Sequence, residues 1–210
     1  MIKARDSLLH GVNHELRAPL SRMKLDLEFI EDQSIKKSLN EDINQIFNLV
    51  NELMDIEKIK SQGIVKEPVV LGDVLKEIVE TLYIDHDQLY FNSDLNLVVE
   101  GNHSQLIKLF KNLIENAYKY KTPEGKVNIS LSQKNDNKIV TIMNEGSTIS
   151  GEDIPFIFEP FFRVNNKNEG DKKEGMGIGL NICKEIIEAH KAKIQVSSKK
   201  GYGTTFKITF

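Results

Sequence analysis

The sequence predicts two dissimilar domains: an α-helical hairpin that becomes a four-helix bundle as a dimer, then an α+β sandwich, a mixed sheet with helices on one face. Three observations predict this. Over about the first sixty residues apolar side chains recur at helical spacing, with one polar break. Beyond Gly63 and Pro68 the periodicity becomes mixed, with short alternating runs among helical ones. Several alternating runs also follow one another directly, whereas a doubly wound sheet requires strict strand-helix alternation.

Size and composition bound the rest. A chain of 210 residues suits one or two domains and is long enough for a sizeable core. Its 40% hydrophobic and 28% charged content is that of a soluble globular protein. A net charge of -3 and a pI near 6.0 leave no basic surplus to neutralise phosphates, so nucleic acid is not the expected partner. The single cysteine, Cys183, excludes a disulfide framework and fits a reducing compartment. No apolar run approaches the ~20 residues that span a bilayer, and the N-terminus lacks a signal-peptide layout. The expectation is therefore a cytoplasmic polypeptide, attached to a membrane only through a sensor or transmembrane region outside this sequence.

The first domain is expected over residues 1–62. Its first helix carries Leu9, Val12, Leu16, Leu20, Met23, Leu27 and Ile30 within one arc of a helical wheel. It fades at Glu31-Asp32-Gln33-Ser34, which supplies turn and capping residues. The second helix carries Ile35, Leu39, Ile43, Ile46, Phe47, Val50, Leu53, Met54 and Ile56. A short connection makes the two antiparallel neighbours, and two helices cover only part of two apolar stripes, so a second copy is the natural cover. On the first helix His14 lies about 160° from Leu16, nearly opposite the stripe. An imidazole there adds nothing to packing but can meet an arriving group. Glu15 beside it can hold one ring nitrogen protonated while the other keeps its lone pair. Pro19 is expected to kink or loosen the helix just beyond. A polar residue on a solvated helix face is the plainer reading of His14 taken by itself.

A linker over 63–67 leads to the second domain, 68–210. Strands are expected at 68–70, 88–92 and 96–100, with helices from Gly72 to about Tyr83 and from about His103 to Lys121. Residues 126–133 and 138–144 form a hairpin through Asn135-Asp136-Asn137. A polar loop over about 160–175 precedes a helix ending near His190, and 192–198 with 204–210 close the sheet as a second hairpin through Gly201-Tyr202-Gly203.

Several stretches of this domain carry chemistry. Asn112, Asn116, Lys119 and Tyr120 fall at i, i+4, i+7 and i+8 and share a helix face, while Leu106, Phe110, Leu113 and Ala117 supply an apolar face. Two amides, an ammonium and a phenol pack poorly but suit a polyphosphate. Asn116 offers a neutral oxygen to Mg²⁺ and Lys119 a point charge to phosphate; a solvated helix face is the alternative. Asn144, ending a strand, has an acceptor for the exocyclic amine of adenine, and Gly146 lets backbone approach the ring; a plain strand-turn is the alternative. Gly175, Gly177 and Gly179, with Leu180, come just before a helix, where exposed N–H groups meet the positive end of the helix dipole and cradle phosphates. The Gly-x-Gly-x-Gly spacing excludes a dinucleotide fingerprint, and the missing Gly-Lys-Ser/Thr excludes a Walker loop. Gly201-Tyr202-Gly203-Thr204-Thr205 adds a further glycine turn. Aromatic Phe158, Phe161 and Phe162 anchor one end of the polar loop and present Arg163 to a terminal phosphate.

In this order the stretches resemble the bacterial sensor histidine kinases of the helical phosphoacceptor type. The match covers nearly the whole chain: a histidine box at 12–20, an asparagine box at 112–120, an aspartate-glycine-type box at 144–146, a phenylalanine box at 158–163 and glycine boxes at 175–180 and 201–205. The resemblance implies a Bergerat ATP-binding fold, ATP and Mg²⁺ as cofactors, phosphorylation of His14, and transfer to an aspartate of a response-regulator receiver domain. It places Mg²⁺ on Asn116 with Asn112 beside it, Lys119 and Tyr120 at the nucleotide, and Arg163 at the γ-phosphate. Asn144, Gly146, Gly175, Gly177, Gly179, Leu180 and Thr205 would then line the nucleotide. Two departures stand out. Asn144 replaces the usual Asp, keeping an acceptor but losing a charge. Ala18 replaces the Thr or Asn that usually positions water for dephosphorylating the regulator, and has no hydrogen-bonding side chain, so a weak phosphatase direction is expected.

Overall fold

A computed structural model describes residues 16–62, 64–82, 89–92, 96–164 and 176–210. The chain divides into two compact units, Met1–Gly63 and Ile64–Phe210. Among the described residues no helix is long and apolar enough to cross a membrane.

The first unit is a helical hairpin. Helix α1 runs over 16–26, continuing past Pro19, and tightens into a 3-10 turn at Leu27–Phe29. Helix α2 spans Gln33–Gln62. Asp32 starts it, as the polar break leads one to expect: its Oδ1 accepts from the N–H groups of Ser34 (2.8 Å) and Ile35 (3.1 Å), a side-chain N-cap. Lys36 and Glu28 pair at 2.8 Å across the turn, and Arg17 Nη2 donates to Asn51 Oδ1 at 3.0 Å between the helices. Leu20, Leu27 and Ile43 form a small core, with Ile30 and Phe47 packed against it. Much of the remaining apolar surface lies open: Met23, Leu25, Phe29, Ile35, Leu39, Ile46 and Leu53 are all exposed. His14 and Glu15 lie outside the described residues.

The second unit is helices over a sheet. Its elements are β1 (Glu67–Val70), α3 (Leu71–Thr81), β2 (Leu89–Asn92), β3 (Val98–Gly101), α4 (His103–Tyr120), β4 (Val127–Lys134), β5 (Asn137–Asn144), α5 (Gly179–Ala189), β6 (Lys193–Lys199) and β7 (Gly203–Thr209), with a 3-10 turn at Ile154–Phe156. Strands β1 and β3 pair antiparallel as a sheet of their own. The other five run β2-β4-β5-β7-β6, antiparallel except that β2 lies parallel to β4. Both expected hairpins, β4–β5 and β6–β7, are present and lie next to each other through the β5–β7 pairing.

Strand alternation decides what meets the helices. Val127, Ile129 and Leu131 of β4, Val140, Ile142 and Asn144 of β5, and Thr204, Phe206 and Ile208 of β7 are buried, while their neighbours Thr141, Met143, Thr205 and Lys207 are only half-buried. Helix α4 buries Leu106, Leu109, Phe110, Leu113, Ile114 and Ala117, a wider face than the sequence expectation because α3 and α5 pack on it as well as β5. Cys183 is buried in α5, its Sγ 3.7 Å from Leu109 O; burial pushes the thiol far above its ordinary range, so it packs as an apolar residue.

His190 joins two helix ends. Its Nδ1 lies 2.7 Å from Ile186 O, which can only accept, so Nδ1 carries the proton. Nε2 then accepts from the N–H of Asn102 at 3.0 Å, and Asn102 itself caps α4 by accepting from Gln105 N at 3.1 Å. The buried ring is therefore neutral, and burial lowers its pKa, with the Ile186 bond opposing and Lys66 adding to the shift.

Candidate functional site

The flank of α4 beside its apolar stripe carries Asn112, Asn116, Lys119 and Tyr120, all half-buried, while Lys111 and Glu115 face outward. Asn112 Nδ2 donates to Lys108 O one turn back at 2.9 Å, which orients the amide. Its Oδ1 then points at α5: a Cβ placed on Gly179 would stand 2.8 Å from it. Only glycine admits this approach, and the contact brings the asparagine stretch and the glycine stretch together. No side chain caps the start of α5, whose N-cap is Ile178. Its first N–H groups therefore keep the partial positive charge of a helix N-terminus. Leu180 sits half-buried in that first turn.

The glycine stretch is in turn fastened to the phenylalanine stretch. Gly177 adopts φ 77°, and a Cβ there would come within 2.7 Å of Phe162 O. The Phe161 N–H donates to Gly177 O at 3.1 Å, with Phe161 itself at φ 66°. Asn181, buried on α5, donates from Nδ2 to Phe158 O at 3.0 Å, and Lys184 lies 3.7 Å from Glu159. These ties fix the exposed Arg163 in sequence just after a clamped segment. Gly175 lies outside the described residues.

At the other end of α4, Tyr120 O accepts from Ser147 N at 2.9 Å and from Asn144 Nδ2 at 3.3 Å. Lys119 Nζ lies 5.4 Å from the centre of the Tyr120 ring. Gly146 passes so close to Tyr120 and Lys121 that a Cβ would stand 2.6 Å from Tyr120 O, and residues 121 and 146 form an isolated bridge. Gly203 approaches equally closely, for a Cβ on it would overlap Asn144 O. Three stretches distant in sequence thus converge on Asn144.

Thr205 pairs with Met143 on the sheet face turned from the helices, whereas Thr204 pairs with Asn144 and shares its buried face. Phe206 and Ile208 mark the core face of β7 in the sequence, and Thr204 is in phase with them, so this signal was present. Ser198, Asn181 and Asn102 carried none. A polar residue in an edge strand, a first helical turn or a cap looks the same whether or not it meets a partner. Among the described residues there is no cluster of three or more His, Cys, Asp or Glu that could hold a metal ion.

Comparison with known proteins adds to this geometry. Residues 101–210 match the family of histidine kinase-, DNA gyrase B- and HSP90-like ATPases, and residues 4–62 match the His kinase A (phospho-acceptor) domain. The chain is 34% identical over 216 residues to the signal transduction histidine-protein kinase ArlS of Staphylococcus aureus, a match covering 96% of this chain and 48% of that protein. It spans about half the length of the curated relatives it matches. Among solved structures it is similar to the histidine kinase AdeS of Acinetobacter baumannii, with 25% identity and a TM-score of 0.68 over 94% of this chain and 96% of that one. Full-length ShkA in complex with AMPPNP shares the fold at a TM-score of 0.75 and 19% identity, covering 97% of this chain and 45% of that one.

Proposed function

The chain belongs to the histidine kinase-, DNA gyrase B- and HSP90-like ATPase family and carries the phosphoacceptor and ATP-binding domains of a protein histidine kinase; from that premise we propose that it phosphorylates His14 from ATP and passes the phosphoryl group to an aspartate of a response-regulator receiver domain. The observation that carries this reading is the meeting of Asn112 Oδ1 with Gly179. It sets a polar helix face against an uncapped helix N-terminus, at an approach that leaves no place for a Cβ at 179.

In this reading ATP, when bound, supplies the γ-phosphoryl group. Asn116, one turn beyond the oriented amide of Asn112, would hold Mg²⁺ through its carbonyl oxygen, which fits a cation that prefers oxygen ligands and keeps phosphate oxygens and waters. Lys119 faces phosphate as a point charge. Gly175, Gly177, Gly179 and Leu180 present backbone N–H groups at the start of α5. Arg163, following the clamped segment 158–162, neutralises charge at the terminal phosphate. Asn144, Gly146 and the Tyr120 backbone form the end of the site that reads the base. Neutral His14 is the nucleophile, and Glu15 shares its other ring proton as positive charge builds on the imidazole.

The open apolar line on α2 supports a homodimer through the hairpin. Leu39, Ile46 and Leu53 recur every seventh residue and are 40%, 42% and 39% exposed, the seam of a helical bundle without its partner. Ala18 is exposed on α1 and its side chain offers no hydrogen bond, so stimulated dephosphorylation of the regulator is expected to be slow. Membrane attachment would come from a sensor region beyond this sequence, with the present portion on the cytoplasmic side.

Incubation with γ-labelled ATP and Mg²⁺, followed by acid or base, tests the reading. The expected product is labelled protein that is acid-labile and base-stable, and it is absent from His14→Gln although ATP still binds. Label that persists on His14→Gln moves the acceptor elsewhere. Steady phosphate release with no labelled protein makes this an ATP hydrolase instead.

A further inference from the structure

A run of hydrogen bonds links Asn144 to the edge of the sheet. Ser198 on edge strand β6 pairs in register with Thr204 on β7, and Thr204 with Asn144 on β5. Ile149 N–H donates to Ser198 Oγ at 2.8 Å, Ser198 Oγ and Thr204 Oγ1 stand 2.8 Å apart, and Thr204 Oγ1 lies 3.1 Å from Ser147 O. An amide N–H can only donate and a carbonyl can only accept. The Thr204 proton goes to one of two acceptors, Ser147 O or Ser198 Oγ, and is engaged in either case; the Ser198 proton goes to Thr204 or to Gly203 O at 3.3 Å.

Ser147 carries the run onward. Its N–H donates to Tyr120 O at 2.9 Å, and the same carbonyl accepts from Asn144 Nδ2 at 3.3 Å. Facing a carbonyl, the Asn144 amide has one choice: Nδ2 turns toward Tyr120 and Oδ1 turns away from it. Thr204, whose proton is engaged, can offer a ligand only a lone pair. The buried end of the sheet therefore presents acceptors.

We propose that Ser198 is a positioning residue for base recognition. Through Thr204, Ser147 and Tyr120 it holds Asn144 with its carbonyl end toward the base, so that a base with an exocyclic amine is accepted and one with an oxo group in its place is refused. The proposal rests on the nucleotide reading above and adds a residue outside every stretch that reading uses. It also gives Asn144 a reason of its own. A carboxylate at 144 would set oxygen against the Tyr120 carbonyl, and two acceptors repel, so the negative charge brings no gain.

The test is displacement of a fluorescent ATP analogue from the full chain by ATP and by inosine triphosphate, which differ in the amine and oxo groups. Wild-type protein prefers ATP by about tenfold or more, since an amide and hydroxyl pair facing an oxo group is left unpaired. Ser198→Ala lowers that preference at least threefold, while Ser198→Thr, which keeps a hydroxyl, retains it. Ser198→Cys, whose thiol is a poor donor, follows Ser198→Ala and serves if the alanine variant does not fold. A role confined to anchoring residues 147–149 would weaken both nucleotides alike. An unchanged preference in Ser198→Ala, whatever the absolute affinities, overturns the proposal. So does tighter ATP binding by Asn144→Asp than by wild type. A wild-type protein that binds neither nucleotide refutes the nucleotide reading itself, a separate outcome.

Discussion

Phe110 and Phe29 are the same side chain in the two units of one polypeptide, yet Phe110 is sealed at 0% exposure and Phe29 stands 85% in water. The contrast holds around them. Leu71, Leu106, Ile142, Ile182 and Ile186 of the second unit are also at 0%, whereas in the first unit Leu25 is at 66% and Ile35 at 53%. Three helices laid over a sheet enclose a core from one chain. Two helices facing each other enclose only the side between them, where Leu20, Leu27 and Ile43 form a small cluster. One unit closes a core of its own; among the described residues of the other, much apolar surface stays open.

The comparison can be broken most sharply in the second unit. Phe110→Ala should destabilise it by roughly 3–5 kcal/mol, by removing a fully enclosed ring that the packed surroundings cannot replace. Denaturant titration should show that loss to be independent of protein concentration, and a concentration-dependent loss would put this core at a subunit interface. The complementary change is Ile46→Glu with Leu53→Glu. Charges on an already exposed line should barely alter the monomer but should weaken self-association by about 2–4 kcal/mol, read by sedimentation across a dilution series. A monomeric wild type would remove the claim that the hairpin is half a bundle.

A smaller effect sharpens the site. Gly179→Val should reduce ATP affinity at least about tenfold, roughly 1.4 kcal/mol, because its Cβ would press on Asn112 Oδ1 and displace that amide. Unaltered binding would place the nucleotide elsewhere.

The smallest effect concerns His190. Its folded pKa is depressed, so the native state resists a proton that the unfolded chain takes up near pH 6.5. The stability it supports is complete above that pH and is lost as pH falls from about 6.5 toward the lower folded value. Between pH 7.5 and 5.5 the wild type should lose more stability than His190→Gln in matched denaturant titrations. Parallel pH profiles would mean the ring titrates as freely folded as unfolded.

Much of this arrangement was legible from residue order. Helical periodicity placed α2 and α4 within a few residues, because a helix bonds to itself and its pattern is local. The hairpins β4–β5 and β6–β7 were legible for the same reason, their turns at Asn135 and Gly201 lying inside the segments they join. The stripe of Asn112, Asn116, Lys119 and Tyr120 followed from spacing alone. Strand β2 was found as a strand, but nothing local says that it runs parallel to β4 or that β1 and β3 leave the main sheet. Thr204 is in phase with Phe206 and Ile208 and so legible as core-facing, but nothing local says that it lies opposite Asn144.

The amino-acid order by itself determined which segments are helix and strand, where the glycines fall, and which polar residues share one face of α4. Each of those depends on neighbours a few positions away. Only the tertiary structure decided that Asn112 looks at Gly179, that Phe161 bonds Gly177, and that Ser198 reaches Asn144 through Thr204, Ser147 and Tyr120. Hydrogen bonds form between atoms about 3 Å apart wherever they stand in the chain, and their direction is set only when donor and acceptor face each other.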